Sequence, residues 1–290
     1  MKGIILTAGK GTRLHPASKI INKGLLPIYD KPMIYYPLST LMLSGIKDIL
    51  IISTPEDIDR FKDLLGDGSF LGINLSYDVQ AQPKGIADCF IIGEQFIGNE
   101  SVCLILGDNI FYGNHFGNTL RNTVSDVEKN NRSTIFGYYV LDPERFGVVG
   151  FDSKMNVTSI EEKPQNPKSN YAAVGLYYYT NSVIDIAKNI QPSKRGELEI
   201  TSVNQEYLKR KELSVKLLGR GNTWLDTGTH ETLVDAAMFV RMTEQRQGLK
   251  IACPEEIAYR MGFIDEDSLL AMSKEYNNEY GDYLIKIIKS

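Results

Sequence analysis

The stretch Ile5 to Pro16, ILTAGKGTRLHP, gathers residues able to handle an anion. An apolar run enters it, Gly9 and Gly11 leave the backbone accessible, and Lys10 and Arg13 bring positive charge. A strand running into a glycine-rich loop and then a helix aims backbone N–H groups and a helix N-terminus at an anion. A second cationic stretch follows, with Lys19 and Lys23 ahead of Pro27 in SKIINKGLLP. Read alone, the two glycines do no more than make a tight turn. With the second stretch they suit a triphosphate, which needs several countercharges. Lys19 reads as a solvated lysine, whereas Lys23 adjoins the apolar Gly-Leu-Leu-Pro.

Three kinds of phosphate loop compete for this stretch. A P-loop requires GxxxxGK[ST]. Here the spacing from Gly3 to Gly9 is one residue too long, and Gly11 stands where a metal-binding hydroxyl should be. A dinucleotide fingerprint requires GxGxxG followed by an acidic residue about twenty positions on. Leu14 occupies the third glycine position, and Asp30 lies in a proline-bounded segment. The third pattern, Gly-x-Gly-Thr-Arg with a lysine downstream, is matched in full by Gly9 to Arg13. Other polar groups are ambiguous by themselves. Asp108 in LGDN and Asp226 in WLDTG each read as a turn or helix cap. Glu162 and Lys163 in EEKP read as hairpin charges. His15, His115 and His230 form no HxxxH or HExxH pattern, and no Ser/His/Asp or Cys/His arrangement points to a protein nucleophile.

These groups need elements to position them. Gly3–Leu6, Asp48–Ile52, Leu75–Val79, Ser101–Leu106 and Thr134–Val140 read as buried strands, with helices expected over Tyr36–Ser44, Glu56–Leu65 and Gly85–Phe96. Strand alternating with helix predicts a mainly parallel sheet covered on both faces. Ligands of such sheets bind beyond the carboxyl ends of the strands. That places Thr7–Arg13, Gln80–Gly85 and Gly107–Tyr112 at one edge, since each follows a strand. After Asp142 the pattern changes to a hairpin, Val148–Asp152 and Val157–Glu162, and further strands at Ala173–Tyr179 and Ser214–Leu218. Helices are expected at Ser182–Asn189, Ile200–Arg210, His230–Arg246, Pro254–Met261 and Asp267–Tyr280. The expectation is one α/β domain, Rossmann-like, with a helical C-terminal extension.

At 290 residues with 42% hydrophobic residues, the chain can bury a sizeable core. A net charge of −4 offers nothing to a nucleic-acid polymer. No apolar run approaches a membrane span. Cys89, Cys103 and Cys253 are widely separated and lack zinc spacing, the usage of a reducing cytoplasm.

The motifs GKGTRL, KGLLPIYDKPMIYYPLSTLMLSGI, LGDNIFYG, DPERFGVV, EEKP, KSNYAAVGLYYY, RGELEIT, WLDTGTH and ACPEEIAYR run in order along the chain. Together they closely resemble the glucose-1-phosphate thymidylyltransferases (dTDP-glucose pyrophosphorylases) of the sugar nucleotidyltransferase family. The resemblance implies transfer of a thymidylyl group from dTTP to α-D-glucose 1-phosphate, releasing pyrophosphate, the first step towards dTDP-deoxysugars such as dTDP-rhamnose. It assigns Arg13 and Lys23 to the triphosphate and Lys163 to the sugar phosphate. It assigns Asp108 and Asp226 to one Mg²⁺. Leu6, Ala8, Gly9, Gly11 and Thr12 fall in the nucleotide loop, and Gln80 and Gly85 match the segment that reads the base. Asn109, Gly147, Glu162, Val174 and Tyr177 fall at or beside the sugar pocket, and Glu197 either contacts the sugar or caps a helix. In an extended strand, residues 162 and 163 face opposite sides, so both can serve only where the strand ends.

The resemblance further implies a homotetramer with a helical region over residues 230–290. Gly113, His115, Arg220, Cys253, Glu256, Ile257 and Arg260 match a second, regulatory nucleotide site. The nucleotide-binding part would span about 1–115 and the sugar-binding part about 142–229, within a catalytic domain of 1–229. Ala8 and Lys10 depart from the family's LAGGSGTRL, Gly24 replaces the glutamine of KQLLP, and Ser202 replaces an aspartate. Uracil shows the same Watson–Crick edge as thymine, and a methyl contact discriminates by only about 1–3 kcal/mol, so some use of UTP is expected. Alternatives are the same chemistry on another sugar 1-phosphate or with UTP, a non-catalytic sugar-nucleotide sensor, and an NAD-dependent oxidoreductase.

Overall fold

The structure is a computed structural model and describes residues 1–289. The N-terminal half begins with β1 (Lys2–Leu6), whose Ile4 and Ile5 have no exposure because helices cover both faces of the sheet. After the glycine loop come the short hairpin strands β2 (Pro27–Ile28) and β3 (Lys31–Pro32), then α1 (Tyr35–Leu43). Next follow β4 (Asp48–Ser53), α2 (Ile58–Leu65), β5 (Asn74–Val79), α3 (Asp88–Ile92), α4 (Glu94–Ile97) and β6 (Val102–Leu106). Strands β5, β4, β1 and β6 lie side by side and parallel. The chain runs outward from β1 to β4 and β5, then returns to β6 on the other side of β1. Strand order therefore reverses beside β1, the place where such sheets open a crevice.

β7 (Asn109–Gly113) and α5 (Phe116–Asn130) lead to β8 (Ser133–Tyr139), and the second half of the sheet is mostly antiparallel. It contains β9 (Gly147–Phe151), β10 (Val157–Glu162) and β11 (Tyr171–Tyr179), followed by α6 (Val183–Asn189), α7 (Ile200–Lys209) and β12 (Leu213–Leu218). β11 joins the halves, antiparallel to β6 over Leu176 to Tyr179, and also pairs with β8 and β9. β13 (Asn222–Asp226) then leaves the main sheet and pairs with β7 as a separate ribbon in the register Asp226↔Asn109 and Asn222↔Gly113. The C-terminal part is helical: α8 (His230–Gln247), α9 (Pro254–Arg260), α10 (Glu266–Ser273) and α11 (Glu279–Ile288).

The result is the expected α/β, Rossmann-like fold with a mixed sheet and helical C-terminal region. It adds β7, which no sequence expectation named, directly after the aspartate of LGDNIFYG, and it corrects two local expectations. The helix expected over Asp267–Tyr280 is two helices, because the Asn278 side chain accepts from the amides of Tyr280 and Gly281 and starts α11. The helix expected over Gly85–Phe96 is likewise split at Gly93.

Candidate active site

Residues from six strands converge on a cavity of about 440 Å³ at the carboxyl edge of the parallel strands. Its lining includes the cations Arg13 and Arg145, the carboxylates Asp108 and Asp226, and the neighbours Glu162 and Lys163.

The carboxylates meet because of the ribbon. Asp108 follows β6, and Asp226 ends β13, whose last pair is with Asn109. Thr227, fully buried, ties the two turns together by donating its hydroxyl (2.9 Å) and its amide (3.3 Å) to the Asp108 carbonyl. Lys23 forms an ion pair with Asp108, and Asn109 Nδ2 donates to Asp108 Oδ1 at 2.8 Å. Burial by itself would raise the Asp108 pKa, but the Lys23 ammonium and these hydrogen bonds outweigh it and hold the carboxyl below its ordinary value. Asp226 is shifted the other way. Burial and the charge of Asp108 raise it, against the opposing pull of Lys23, Arg13 and Arg145. Two carboxylates that disfavour each other's charge at the mouth of an anion-binding cavity fit one divalent cation completed by water and phosphate oxygens. Among the described residues no third His, Cys, Asp or Glu joins them.

Asn109 is a structural clamp as well as a wall of the cavity. Its Oδ1 accepts from Trp224 Nε1 at 2.6 Å and from the Gly175 amide at 3.2 Å. It thereby locks β7, β13 and β11 to one another.

Glu162 and Lys163 both line the cavity, and the reason is local. β10 stops at Glu162, and Lys163 adopts a left-handed φ of 43°, turning its side chain to the same side. Lys163 N donates to the Phe146 carbonyl at 3.0 Å, and Thr201 Oγ1 donates to Glu162 Oε2 at 2.5 Å. Gly147 starts β9 opposite, and a Cβ there would lie 3.2 Å from Thr201 Oγ1. Tyr177 lines the cavity too, its phenol pushed up by burial.

Two of the residues expected at the sugar pocket are not among those lining the cavity. On β11 it is Ala173, Gly175 and Tyr177 that face the cavity, while the Val174 side chain is fully buried on the opposite face. In RGELEIT it is Glu199, not Glu197, that lines the cavity, and Glu197 instead pairs with Arg195 at 3.4 Å. Arg145, Phe146, Thr201, Asn204 and Trp224 also line the cavity and were not singled out in the sequence.

The nucleotide-loop residues lie at the same edge. Leu6 ends β1, Ala8 is buried, and a Cβ added to Gly9 would meet nothing within 4 Å, so space is open above the loop. Gly11 is required by its left-handed φ of 58° and by contact with Ser18. It precedes the 3₁₀ turn Thr12–Leu14 that carries Arg13. Lys10 is exposed and makes no ion pair among the described residues. Gln80 follows β5, and its Nε2 donates to the Gly85 carbonyl (3.1 Å) and Asp88 Oδ2 (2.9 Å), leaving its carbonyl oxygen as an acceptor. Gly85 has a φ of 103°, and a Cβ there would come within 2.5 Å of the Leu198 carbonyl.

A second cavity of about 410 Å³ lies between α1, the far end of β7 and the C-terminal helices. Gly113, His115, Cys253, Glu256, Ile257 and Arg260 all line it. Arg220 does not; it is exposed in the turn before β13, near Asn222, which pairs with Gly113. Arg260 Nε donates to Glu256 Oε1 at 2.7 Å, and burial pushes the Cys253 thiol well up. Cys89, Cys103 and Cys253 are all buried and unpaired by disulfides.

Known proteins resemble this chain over its full length. The family model described as nucleotidyl transferase matches residues 2–243. The glucose-1-phosphate thymidylyltransferase of Neisseria meningitidis serogroup A is 54% identical, covering 100% of both chains. That of Mycobacterium tuberculosis strain H37Rv is 52% identical, covering 100% of this chain and 99% of its own. Among solved structures, a UDP-glucose pyrophosphorylase complexed with UDP-glucose superposes with a TM-score of 0.74 at 26% identity, covering 83% of this chain and 98% of that one.

Proposed function

The chain belongs to the nucleotidyl transferase family, and from that premise we propose that it is an enzyme joining dTTP and α-D-glucose 1-phosphate into dTDP-glucose and pyrophosphate. The observation that carries the reading is one cavity lined by cations, two carboxylates and a Glu-Lys pair, in a chain 52–55% identical throughout to proteins named glucose-1-phosphate thymidylyltransferase.

The reaction needs no protein nucleophile. A phosphate oxygen of the sugar phosphate, already anionic, attacks the α-phosphorus in line. One P–O bond forms, the bond to the β-phosphate bridge breaks, and the electron pair leaves with pyrophosphate. No proton has to move, so positioning and charge neutralisation supply the rate. Arg13 and Lys23 neutralise the α-phosphate and the departing pyrophosphate. Lys163 holds the sugar phosphate, and Glu162, oriented by Thr201, accepts from sugar hydroxyls. Asp108 and Asp226 would hold Mg²⁺, which when bound supplies further charge neutralisation at the phosphates. The oxygen of Gln80 accepts from N3–H of the base, since its amide nitrogen is engaged by Gly85 and Asp88. The loop residues Leu6, Ala8, Gly9, Gly11 and Thr12 embrace the phosphates and nucleoside.

In this reading residues 1–115 bind nucleotide and about 142–229 bind sugar. Residues 230–290 build a homotetramer, and the second cavity takes a regulatory nucleotide. The setting is the cytoplasm, and among the described residues no helix is long and apolar enough to cross a membrane. The test is pyrophosphate release measured over a panel of sugar 1-phosphates with dTTP and UTP. Preference for dTTP with glucose 1-phosphate supports the reading. Preference for an amino-sugar phosphate or for UTP would replace it with the closest alternative.

A further inference from the structure

Lys23 lies in a segment that regular secondary structure does not hold. Between β1 and β2 the chain forms only two 3₁₀ turns, Thr12–Leu14 and Lys23–Leu25. Yet Lys23 must present one ammonium group at one place. What fixes it is a set of side-chain pins. Ser18 Oγ donates to the Gly11 carbonyl at 2.6 Å, and Arg60 Nη1 donates to the Ile20 carbonyl at 2.8 Å while pairing with Asp57 at 2.9 Å.

The last pin is Asn22, next to the lysine itself. Its side-chain oxygen accepts from Thr7 Oγ1 (3.0 Å) and from the Gly24 amide (2.9 Å). Its Nδ2 donates to the Thr7 carbonyl (2.8 Å) and to Asp57 Oδ2 (3.3 Å). All four hydrogen-bonding positions of the amide are therefore used. Asn22 is 4% exposed and Thr7 3%, so these bonds face no competition from water. They tie the residue before Lys23 and the residue after it to the end of β1 and to the turn before α2.

Thr7 and Gly24 complete the arrangement. A Cβ on Gly24 would lie 2.8 Å from Thr7 Oγ1 and 3.2 Å from Phe61 Cζ. Gly24 needs no left-handed φ, so its glycine is a matter of space: the Thr7 hydroxyl occupies what a side chain at 24 would fill.

We propose that Asn22 is a positioning residue that presents Lys23 to the phosphate site, with Thr7 and Gly24 matched to it as one unit. Asn22 touches no part of the cavity. Its effect passes through Lys23, and so the inference rests on the role given to Lys23 above. A purely structural asparagine would stabilise the fold and act the same whatever stood at position 23.

A double-mutant cycle separates these cases. Asn22→Ala, Lys23→Ala and the double variant are compared by kcat/KM for dTTP in the pyrophosphate-release assay, with thermal melts of each. Asn22→Ala is expected to lower kcat/KM by about ten- to a hundredfold, since a small misplacement of a charge-stabilising group is costly. In the Lys23→Ala background it is expected to change kcat/KM less than about twofold, there being no ammonium left to misplace. Equal fold losses in both backgrounds would overturn the proposal. Lys23→Ala with undiminished activity would overturn the role of Lys23 itself, and is a distinct outcome. Should Asn22→Ala fail to fold, Thr7→Val removes one donor to Asn22 at nearly constant volume and runs the same cycle. Gly24→Ala, whose Cβ would meet the Thr7 hydroxyl, is expected to lower kcat/KM in the parent but change it less than about twofold in the Lys23→Ala background, and equal fold losses in both would remove Gly24 from the unit.

Discussion

At the scale of single residues, the site depends on backbone positions that put charges where strands alone would not. Lys163 shares the cavity with Glu162 because a left-handed φ of 43° follows the end of β10. In the proposed role of Lys163, replacing it with alanine would remove a charge-assisted hydrogen bond to the sugar phosphate, about 1.5–3 kcal/mol. The expected result is a glucose 1-phosphate KM raised about ten- to a hundredfold with a normal melting temperature, and an unchanged KM would remove Lys163 from that role. Asp226→Ala should abolish turnover, by about a hundredfold or more, while circular dichroism stays native. Near-normal activity in saturating Mg²⁺ would count against the metal role. Gly85→Ala forces a Cβ to within 2.5 Å of the Leu198 carbonyl, so it should weaken dTTP use and lower the melting temperature. Much at this scale was legible: Arg13, Lys23, Asp108, Asp226, Glu162 and Lys163 all reach one edge. Val174 and Glu197 do not line the cavity: side chains alternate along β11, so Val174 is buried on its other face, while in the irregular segment before α7 it is Glu199 that reaches the cavity.

At the scale of elements, the β7–β13 ribbon decides the geometry, and it was the element least visible in the sequence. LGDNIFYG and NTWLDTG are bounded by Asn, Asp and Gly, which read as turns, and a two-stranded ribbon outside the main sheet leaves only a short apolar signature. Strands β1, β4 and β6 were legible because burial on both faces makes them almost continuously apolar. The junction between α8 and the early hairpin makes a separate prediction. Glu244, 7% exposed, accepts from Lys31 Nζ at 2.9 Å and from the Ile251 amide at 2.8 Å, and Lys31 also pairs with Asp30. Glu244→Ala leaves a buried ammonium with one partner fewer and an amide with none. It should cost about 2–3 kcal/mol in urea unfolding, with Glu244→Gln milder. Equal stability of Glu244→Ala and the parent would show that water replaces these contacts.

At the scale of the molecule, the sheet divides the labour. The parallel half supplies the crevice beside β1, the antiparallel half supplies the opposite wall through β9, β10 and β11, and the helical C-terminal part closes a second cavity against β7. One ribbon thus touches both cavities, Asp108 and Asp226 at one end and Gly113 at the other. The proposed tetramer predicts a solution mass about four times the 32.6 kDa of the chain by light scattering, and a monomer would leave residues 230–290 without that role. The central claim concerns chemistry, and one measurement addresses it most directly: initial rates of pyrophosphate release with dTTP and glucose 1-phosphate in Mg²⁺, against dTTP with other sugar 1-phosphates and against UTP. The account predicts the highest kcat/KM for dTTP with glucose 1-phosphate and a smaller but measurable rate with UTP. No pyrophosphate from dTTP and glucose 1-phosphate, with the protein folded and Mg²⁺ present, would contradict it.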